Sequence, residues 1–229
     1  MGLRDYTTMS FDVYGTLIDW ESGILGHLRP WLKGVPNSDI LSAYGALENE
    51  WQMREPGMLY PEILTRVHGD LGKRFGFESR RRDAEAFAAS IGDWLPFPDS
   101  TESLRHLKRH HRLVILSNVD EASIARSIRR IGVEFDQVLT AEAIGSYKPA
   151  RANFERLLAA AEGKLLHIAE SLYHDHTPCN ALGIASAWIN RRHGMTGCGA
   201  TRQPDSMPRT DYIFPSLAAL CQAHQEQSA

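Results

Sequence analysis

The chain has 229 residues, of which 43% are hydrophobic and 23% are charged, and its formal net charge is −3. These proportions are ordinary for a globular protein with one large domain, or with a core and a smaller domain. Because no cluster of lysines and arginines stands out, we expect no nucleic-acid partner. No apolar run approaches the roughly 20 residues that span a bilayer. The three cysteines are widely spaced and indicate neither a disulfide framework nor a metal site. We therefore expect a cytoplasmic protein without a membrane partner.

The first predicted element is a buried strand over residues 8–13, which carries a carboxylate near its end. Apolar side chains surround Asp12, and Tyr14-Gly15-Thr16 then turns the chain. A carboxylate in so apolar a run is costly unless another group pairs with it or uses it. At the carboxyl end of a parallel strand it would face the crevice in which open α/β sheets bind ligands. An aspartate that merely caps the glycine turn is the alternative.

Apolar residues at helical spacing predict four helices in the next part of the chain. The first carries residues 24–32, and the others begin near residues 39, 61 and 79. Nothing in this interval predicts a strand. Two prolines in Trp94–Pro98 mark a linker, after which the pattern changes.

Strands and helices alternate in the second half. Short apolar runs predict strands over residues 113–116, 135–139, 165–169, 185–189 and 212–214, with helical segments between them. This alternation predicts an α/β fold in which helices cover both faces of a Rossmann-like parallel sheet. The first strand joins this sheet, so the four helices are an inserted all-helical cap. We assign residues 1–18 and 97–229 to the core domain and residues 19–96 to the cap.

Polar residues follow three of the later strands. They are Ser117-Asn118, then Lys148-Pro149, then the run from Glu170 and Ser171 to Asp175. Parallel strands bring such groups to one edge of the sheet, where they could bind a charged substrate. Each group also has a simpler interpretation as a helix start, a surface lysine or a cap.

Together, these strand ends resemble the haloacid dehalogenase superfamily, whose cap is inserted directly after the nucleophile strand. The closer resemblance is to the 2-haloacid dehalogenase branch. It rests on FDVYGTL from Phe11, on LSN from Leu116, on YKP from Tyr147 and on WINR from Trp188. The resemblance covers the whole chain, and four motifs in the expected order are more specific than any one of them.

The resemblance implies a hydrolase in which Asp12 attacks carbon and forms an ester, with no cofactor. It makes Lys148 and Asp175 the other catalytic residues and predicts a small anionic substrate. The substrate-binding candidates are Tyr14, Thr16, Ser117, Asn118, Glu170 and Ser171. It also leaves a homodimer open.

Tyr14 stands where superfamily phosphatases carry a second aspartate, their general acid. A halide needs no proton to leave, so Tyr14 favours dehalogenation of a short 2-haloacid.

Three departures keep other functions open. The cap has no arginine in the window 40–44 that the branch uses to engage substrate or halide, and Phe154 replaces a tyrosine. Glu170 and Asp175 look more like the Mg²⁺ loop of the phosphatases. A Mg²⁺-dependent phosphatase acting on a small metabolite is therefore the alternative, and a member that only binds a partner is the third.

Two further features lie outside these motifs. We expect Trp20 and either Trp51 or Tyr60 to line the substrate entrance. His110-His111 is predicted to lie at a solvated helix end.

Overall fold

The computed structural model describes residues 1–227 and has a parallel sheet of six strands. The strands are β1 (Thr8–Phe11), β2 (Arg112–Ser117), β3 (Gln137–Thr140), β4 (Leu165–Ala169), β5 (Ala185–Ile189) and β6 (Tyr212–Phe214), and their order across the sheet is β3-β2-β1-β4-β5-β6. Strand β1 lies between β2 and β4, with Phe11 opposite Ile115 and Ile168. The predicted α/β fold is confirmed, and Asp12 directly follows the central strand.

Ten α-helices lie within the described residues. They are α1 (Trp20–Leu28), α2 (Asn37–Arg54), α3 (Tyr60–Phe75), α4 (Arg81–Ser90), α5 (Ser100–Lys108), α6 (Glu121–Ile131), α7 (Ala141–Ile144), α8 (Arg151–Ala160), α9 (Thr177–Leu182) and α10 (Leu217–Glu226). The prediction of four helices before the linker at Trp94–Pro98 is confirmed, and α5 follows that linker. None of the helices in residues 1–227 is both long and apolar enough to cross a membrane.

The four helices of the insertion pack on one another and on the residues after β1. Their buried side chains, such as Tyr44, Leu64 and Phe87, belong to the same apolar cluster as Phe11 and Leu113 of the sheet. The cap therefore has no separate core. Apolar residues at helical spacing give each cap helix one apolar face, and this face is the one that is buried.

The chain passes between sheet and cap twice, and the two crossings lie side by side. The backbone N–H of Asp19 donates to the carbonyl of Leu95 at 2.9 Å, and that of Phe97 donates to the carbonyl of Leu17 at 2.9 Å. Ile18 also forms an isolated antiparallel bridge with Pro96. We propose this pair of crossings as the boundary between the two domains.

Among the contacts that hold the cap against the sheet domain, two differ in chemistry. Near the crossings, Arg130 of α6 donates to the Gly92 carbonyl at 3.1 Å and pairs with Asp93 at 2.6 Å. At the loop between α2 and α3, the Tyr147 hydroxyl donates to the carbonyl of Met58 at 2.6 Å. Charged groups join the two domains at the first place, and a neutral hydrogen bond joins them at the second.

The prediction for His110-His111 is wrong for its second member. His111 is buried, and its Nδ1 lies 2.8 Å from the carbonyl of Tyr6. His224 of α10 lies between two histidines. Its Nε2 is 2.7 Å from His111 Nε2, and its Nδ1 is 2.9 Å from His106 Nε2. Burial lowers the pKa of all three imidazoles, that of His224 to about 4. The helix end is therefore covered by the last helix, which no local sequence pattern shows.

Candidate active site

The centre of the site is a buried ammonium shared by two carboxylates. Lys148 Nζ lies 2.8 Å from Asp12 Oδ1, 2.7 Å from Asp175 Oδ1 and 3.0 Å from the Leu116 carbonyl. Its side chain is 1% exposed. A charge this deeply buried is tolerated because it is paired and hydrogen-bonded on all sides. The three predicted catalytic residues are thus brought together at the ends of β1, β2 and β4.

The surroundings set the charge state of these groups. Burial would lower the pKa of Lys148, but the two carboxylates raise it above its usual value. Burial would likewise raise the pKa of Asp175, but Lys148 and a 2.8 Å hydrogen bond from His167 hold it well below its usual range. For Asp12 burial is the largest effect and raises the pKa, with Lys148 opposing it. Asp175 is therefore the more acidic of the two carboxyl groups, and Asp12 is the more basic one.

The loop after β1 fixes the second oxygen of Asp12. The Thr16 hydroxyl donates to Asp12 Oδ2 at 2.7 Å and accepts from the backbone N–H of Glu170 at 2.9 Å. The Thr16 carbonyl in turn accepts a 2.8 Å hydrogen bond from Arg191, which is paired with Asp99 at 2.9 Å. Arg191 belongs to the late WINR motif, so that motif supports the loop rather than the substrate. Both oxygens of Asp12 are thereby oriented.

A small cavity of about 40 Å³ lies between Asp12 and the cap, which is enough for roughly three water molecules. The lining residues from the core are Asp12, Tyr14, Ser117, Asn118, Lys148, Ser171, His174, Asp175 and Thr201. The cap contributes side chains from α1, α2 and the start of α3, which are Trp20, Glu48, Gln52 and Tyr60. A site of this size admits only a small molecule while the cap is closed.

Three buried polar atoms of this lining have no hydrogen-bond partner within residues 1–227. They are Ser117 Oγ, His174 Nε2 and Asp175 Oδ2. Burial lowers the pKa of His174 to about 4. Because buried polar groups are nearly always paired in folded proteins, their convergence on one cavity indicates a place for a polar ligand.

The predicted substrate-binding residues include three small polar side chains that line the cavity. Ser117 and Ser171 line the cavity, and Ser171 Oγ accepts from the backbone N–H of His174 at 3.0 Å. Asn118 also lines it, but its side-chain carbonyl accepts from the backbone N–H of Lys148 at 2.6 Å, and its amide donates back to the Lys148 carbonyl at 3.0 Å. Asn118 thus positions Lys148 as well as facing the ligand space.

Thr16 orients Asp12 from outside the cavity lining. Tyr14 lies along the cavity, but its hydroxyl is 2.9 Å from Ser127 Oγ and its ring packs edge-on against Trp94. Burial raises the pKa of Tyr14. Tyr14 is therefore held as a neutral wall of the cavity.

Glu170 does not lie in this cavity. Its carboxylate accepts from the Thr201 hydroxyl at 2.8 Å, and burial raises its pKa to about 8. The separation arises because the chain turns at Ser171, so Glu170 and Asp175 leave the strand in different directions. The two residues therefore do not form one acidic loop site.

Two of the three residues predicted for the substrate entrance line the cavity. Trp20 and Tyr60 line the cavity, but Trp51 does not, because its indole N–H donates to Asp70 at 2.9 Å on the far side of the helix. The two arginines nearest the expected window are also elsewhere. Arg29 donates to backbone carbonyls of the cap, and Arg54 stacks on Trp51.

Sequence reasoning missed Glu48 and Gln52 as cavity residues. Both lie on the face of α2 that also buries Leu41 and Tyr44. A carboxyl at helical spacing within an apolar face was the available signal. His167, which supports Asp175, was hidden because it lies inside a strand and contacts the site only through its ring nitrogen.

Among the described residues, no three His, Cys, Asp or Glu side chains form a group suited to a metal ion.

Comparisons with known proteins agree with this architecture. The L-2-haloacid dehalogenase PA0810 superimposes with a TM-score of 0.77 at 23% identity, covering 98% of this chain and 100% of the other. The L-2-haloacid dehalogenase from Xanthobacter autotrophicus with chloropropionic acid covalently bound gives 0.77 at 18% identity, covering 96% and 98%. The HAD-hydrolase YfnB from Bacillus subtilis, bound to magnesium, gives 0.73 at 19%, covering 96% and 99%.

A sequence search of curated proteins gives no match. The model of a family of hydrolases, described as haloacid dehalogenase-like hydrolase, matches residues 6–169. This match spans the first four strands of the sheet domain, β1 to β4, together with the cap, Asp12 and Lys148. The chain therefore belongs to the haloacid dehalogenase-like hydrolases.

Proposed function

We propose that this hydrolase is a dehalogenase in which Asp12 displaces the halide of a short 2-haloacid. The observation that carries the proposal is the state of Tyr14, two residues after Asp12. Its hydroxyl is engaged with Ser127 and its pKa is raised, so it is unsuited to protonate an oxygen leaving group. A halide departs as a stable anion and needs no such acid.

The contacts of Asp12 fit the role of a nucleophile. With Lys148 on Oδ1 and Thr16 on Oδ2, the carboxylate is held in one orientation at the cavity wall. An oxygen of Asp12 forms a bond to the substrate carbon while the carbon–halogen bond breaks and halide leaves with its electron pair. Water then hydrolyses the ester, which yields the hydroxy acid and a proton and restores Asp12.

The rest of the lining fits a small anion. Ser117 Oγ and His174 Nε2 have no hydrogen-bond partner among residues 1–227, and both lie where they could donate to a substrate carboxylate. The covalently bound chloropropionic acid in the Xanthobacter enzyme supports an ester intermediate on this fold. The small cavity supports a two- or three-carbon acid over a larger one.

One observation favours the Mg²⁺-dependent phosphatase as a second candidate. Asp175 Oδ2 is buried and has no hydrogen-bond partner in the described part of the chain, and carboxylate oxygens are the ligands that Mg²⁺ prefers. Asp12, the Tyr14 carbonyl and Asp175 would hold the ion, which would neutralise charge on a phosphoryl group. Asp12 and Asp175 already share Lys148, and Tyr14 supplies no acid, so we rank this candidate second.

The test measures halide and phosphate release from panels of haloacids and small phosphoesters, with and without EDTA. We expect halide release that is insensitive to EDTA. Turnover in heavy-oxygen water should label the peptide that contains Asp12, because water attacks the ester carbonyl. Asp12→Asn should abolish turnover, and the exposed Asp205→Asn serves as the matched control.

EDTA-sensitive phosphate release without halide release would overturn the proposal in favour of the phosphatase. No turnover on either panel would favour a member that acts by binding. An unlabelled Asp12 peptide during rapid halide release would contradict the covalent step.

A further inference from the structure

The cap side of the cavity carries a carboxyl group where a departing anion would need a donor. Glu48 of α2 is 4% exposed and lines the cavity that also contains Asp12. Lys148 is the only lysine or arginine among the lining residues within the described chain, and it is engaged by two carboxylates. Nothing in the proposed roles of the other residues accounts for Glu48.

The neighbours of Glu48 determine which of its oxygens can carry a proton. The Tyr60 hydroxyl donates to Glu48 Oε1, and the Tyr44 hydroxyl lies 3.0 Å from that of Tyr60. Oε1 is thus used as an acceptor. Oε2 makes no hydrogen bond to any described residue, so it is the oxygen that can carry the proton and offer it to a ligand.

The charged surroundings favour the protonated form near neutral pH. Burial raises the pKa of Glu48 to about 7, the two tyrosine hydroxyls oppose this rise, and the charge of Asp12 adds to it. The charge of Glu48 also acts on Tyr147, whose own pKa is raised by burial. The other titratable groups that line the cavity with Glu48 and Asp12 are Tyr14, Lys148, His174 and Asp175. A buried carboxylic acid kept neutral in this way acts as a hydrogen-bond donor.

The geometry of displacement gives this donor a target. In a backside attack the leaving group departs on the side of the carbon opposite to the nucleophile. With Asp12 on the core wall, the halide departs toward the cap, where Glu48, Gln52 and Tyr60 lie. Tyr60 already donates to Glu48.

We propose that the protonated carboxyl of Glu48 is the hydrogen-bond donor that holds the departing halide on the cap side of the cavity. This role rests on the proposed dehalogenase function. The carbon–halogen bond breaks with its electron pair on the halide, which accepts the hydrogen bond from Glu48 Oε2, and no proton is transferred. Glu48 is thereby a catalytic residue that touches the leaving atom.

Ionised Glu48 has no proton to donate and repels an anion. Halide binding should therefore weaken as the pH rises past 7, in proportion to the fraction of Glu48 that stays protonated. Glu48→Gln provides a neutral donor of similar shape at every pH. Glu48→Leu provides no donor at all.

The test follows saturable quenching of tryptophan fluorescence by sodium bromide at constant ionic strength, because Trp20 lines the cavity. For the unaltered protein we expect bromide to bind about 30-fold more weakly at pH 8.5 than at pH 6, since only the protonated fraction is competent. Glu48→Gln should bind equally at both pH values, and Glu48→Leu should lose the saturable phase. Glu50→Gln, on the exposed side of the same helix, is the control.

Two results would overturn the inference: pH-independent bromide binding by the unaltered protein, or the same weakening in Glu48→Gln. The latter would place the titrating group elsewhere, on Asp12 or on Glu170, whose pKa is raised by burial to about 8. Because bromide binding requires no turnover, it separates this inference from the proposed function. If bromide binding depends on Glu48 as expected but no haloacid releases halide, the role of Glu48 as an anion donor is supported and the proposed dehalogenase function is contradicted.

With an active enzyme, kcat for a bromoacid should fall above pH 7, and Glu48→Gln should remove that fall. A change confined to KM would contradict a role at the leaving group.

Discussion

Replacing Lys148 by methionine should destabilise the protein in a manner that depends on pH. The substitution keeps the length of the side chain but removes an ammonium bound by Asp12 and Asp175. Leaving buried charge uncompensated typically costs about 3–5 kcal/mol. The variant can lower this cost in one way, because Asp12 can take up a proton and become neutral.

The free energy needed to protonate Asp12 sets the size of the expected loss of stability. Protonating a carboxyl whose ordinary pKa is near 3.9 costs about 1.4 kcal/mol for each pH unit above that value, or about 4 kcal/mol at pH 7. At pH 5 the same step costs about 1.5 kcal/mol. The folded variant would carry one proton more than its unfolded chain, so its stability falls as the pH rises. The loss relative to the unaltered protein should therefore grow with pH.

The assay is urea unfolding followed by circular dichroism at pH 5, 6, 7 and 8. Lys164→Met, at an exposed lysine, should change the free energy of unfolding by no more than about 0.5 kcal/mol. Adding Asp12→Asn to Lys148→Met should flatten the pH dependence, because the titrating carboxyl is gone. A loss of equal size at every pH would refute the argument that Asp12 takes up the proton.

Three further predictions concern the support of the site. Thr16→Val removes the hydroxyl donor to Asp12 Oδ2, and kcat for halide release should fall at least about tenfold, which corresponds to one lost hydrogen bond of about 1.4 kcal/mol. Arg191→Met removes the ion pair with Asp99 and the donor to the Thr16 carbonyl, and urea unfolding should show a loss of about 2–3 kcal/mol. Burial of His224 as a neutral ring gives stability that is present above pH 6.5 and is lost as the pH falls toward 4; thermal unfolding against pH should show this loss, and His224→Phe should reduce it.

Much of the sheet and the site could be predicted because the relevant signals are local. Asp12, Ser117 and Asp175 come after short apolar runs, and parallel strands bring such ends to one edge. Lys148 instead follows the short helix α7, which lies between it and β3. The structure places all four around one cavity. Their order along the chain also identified the family.

The signals that failed depend on contacts distant in sequence. His111 is buried only because α10 returns more than one hundred residues later to place His224 against it. Glu170 and Asp175 diverge because the five residues from Leu172 to His176 form one wide helical turn, which the composition does not announce. Glu48 was overlooked because a glutamate in a helix is usually solvated, and its burial depends on the core below it.

The two chain crossings bear on how substrate reaches Asp12. They are the covalent links between the cap and the sheet domain and are hydrogen-bonded to each other, whereas the loop between α2 and α3 meets the core through noncovalent contacts such as the bond from Tyr147 to Met58. We expect the cap to rotate about the crossings near Ile18 and Pro96 when such contacts break. This rotation would expose the cavity to solvent without moving the strand ends that hold the nucleophile.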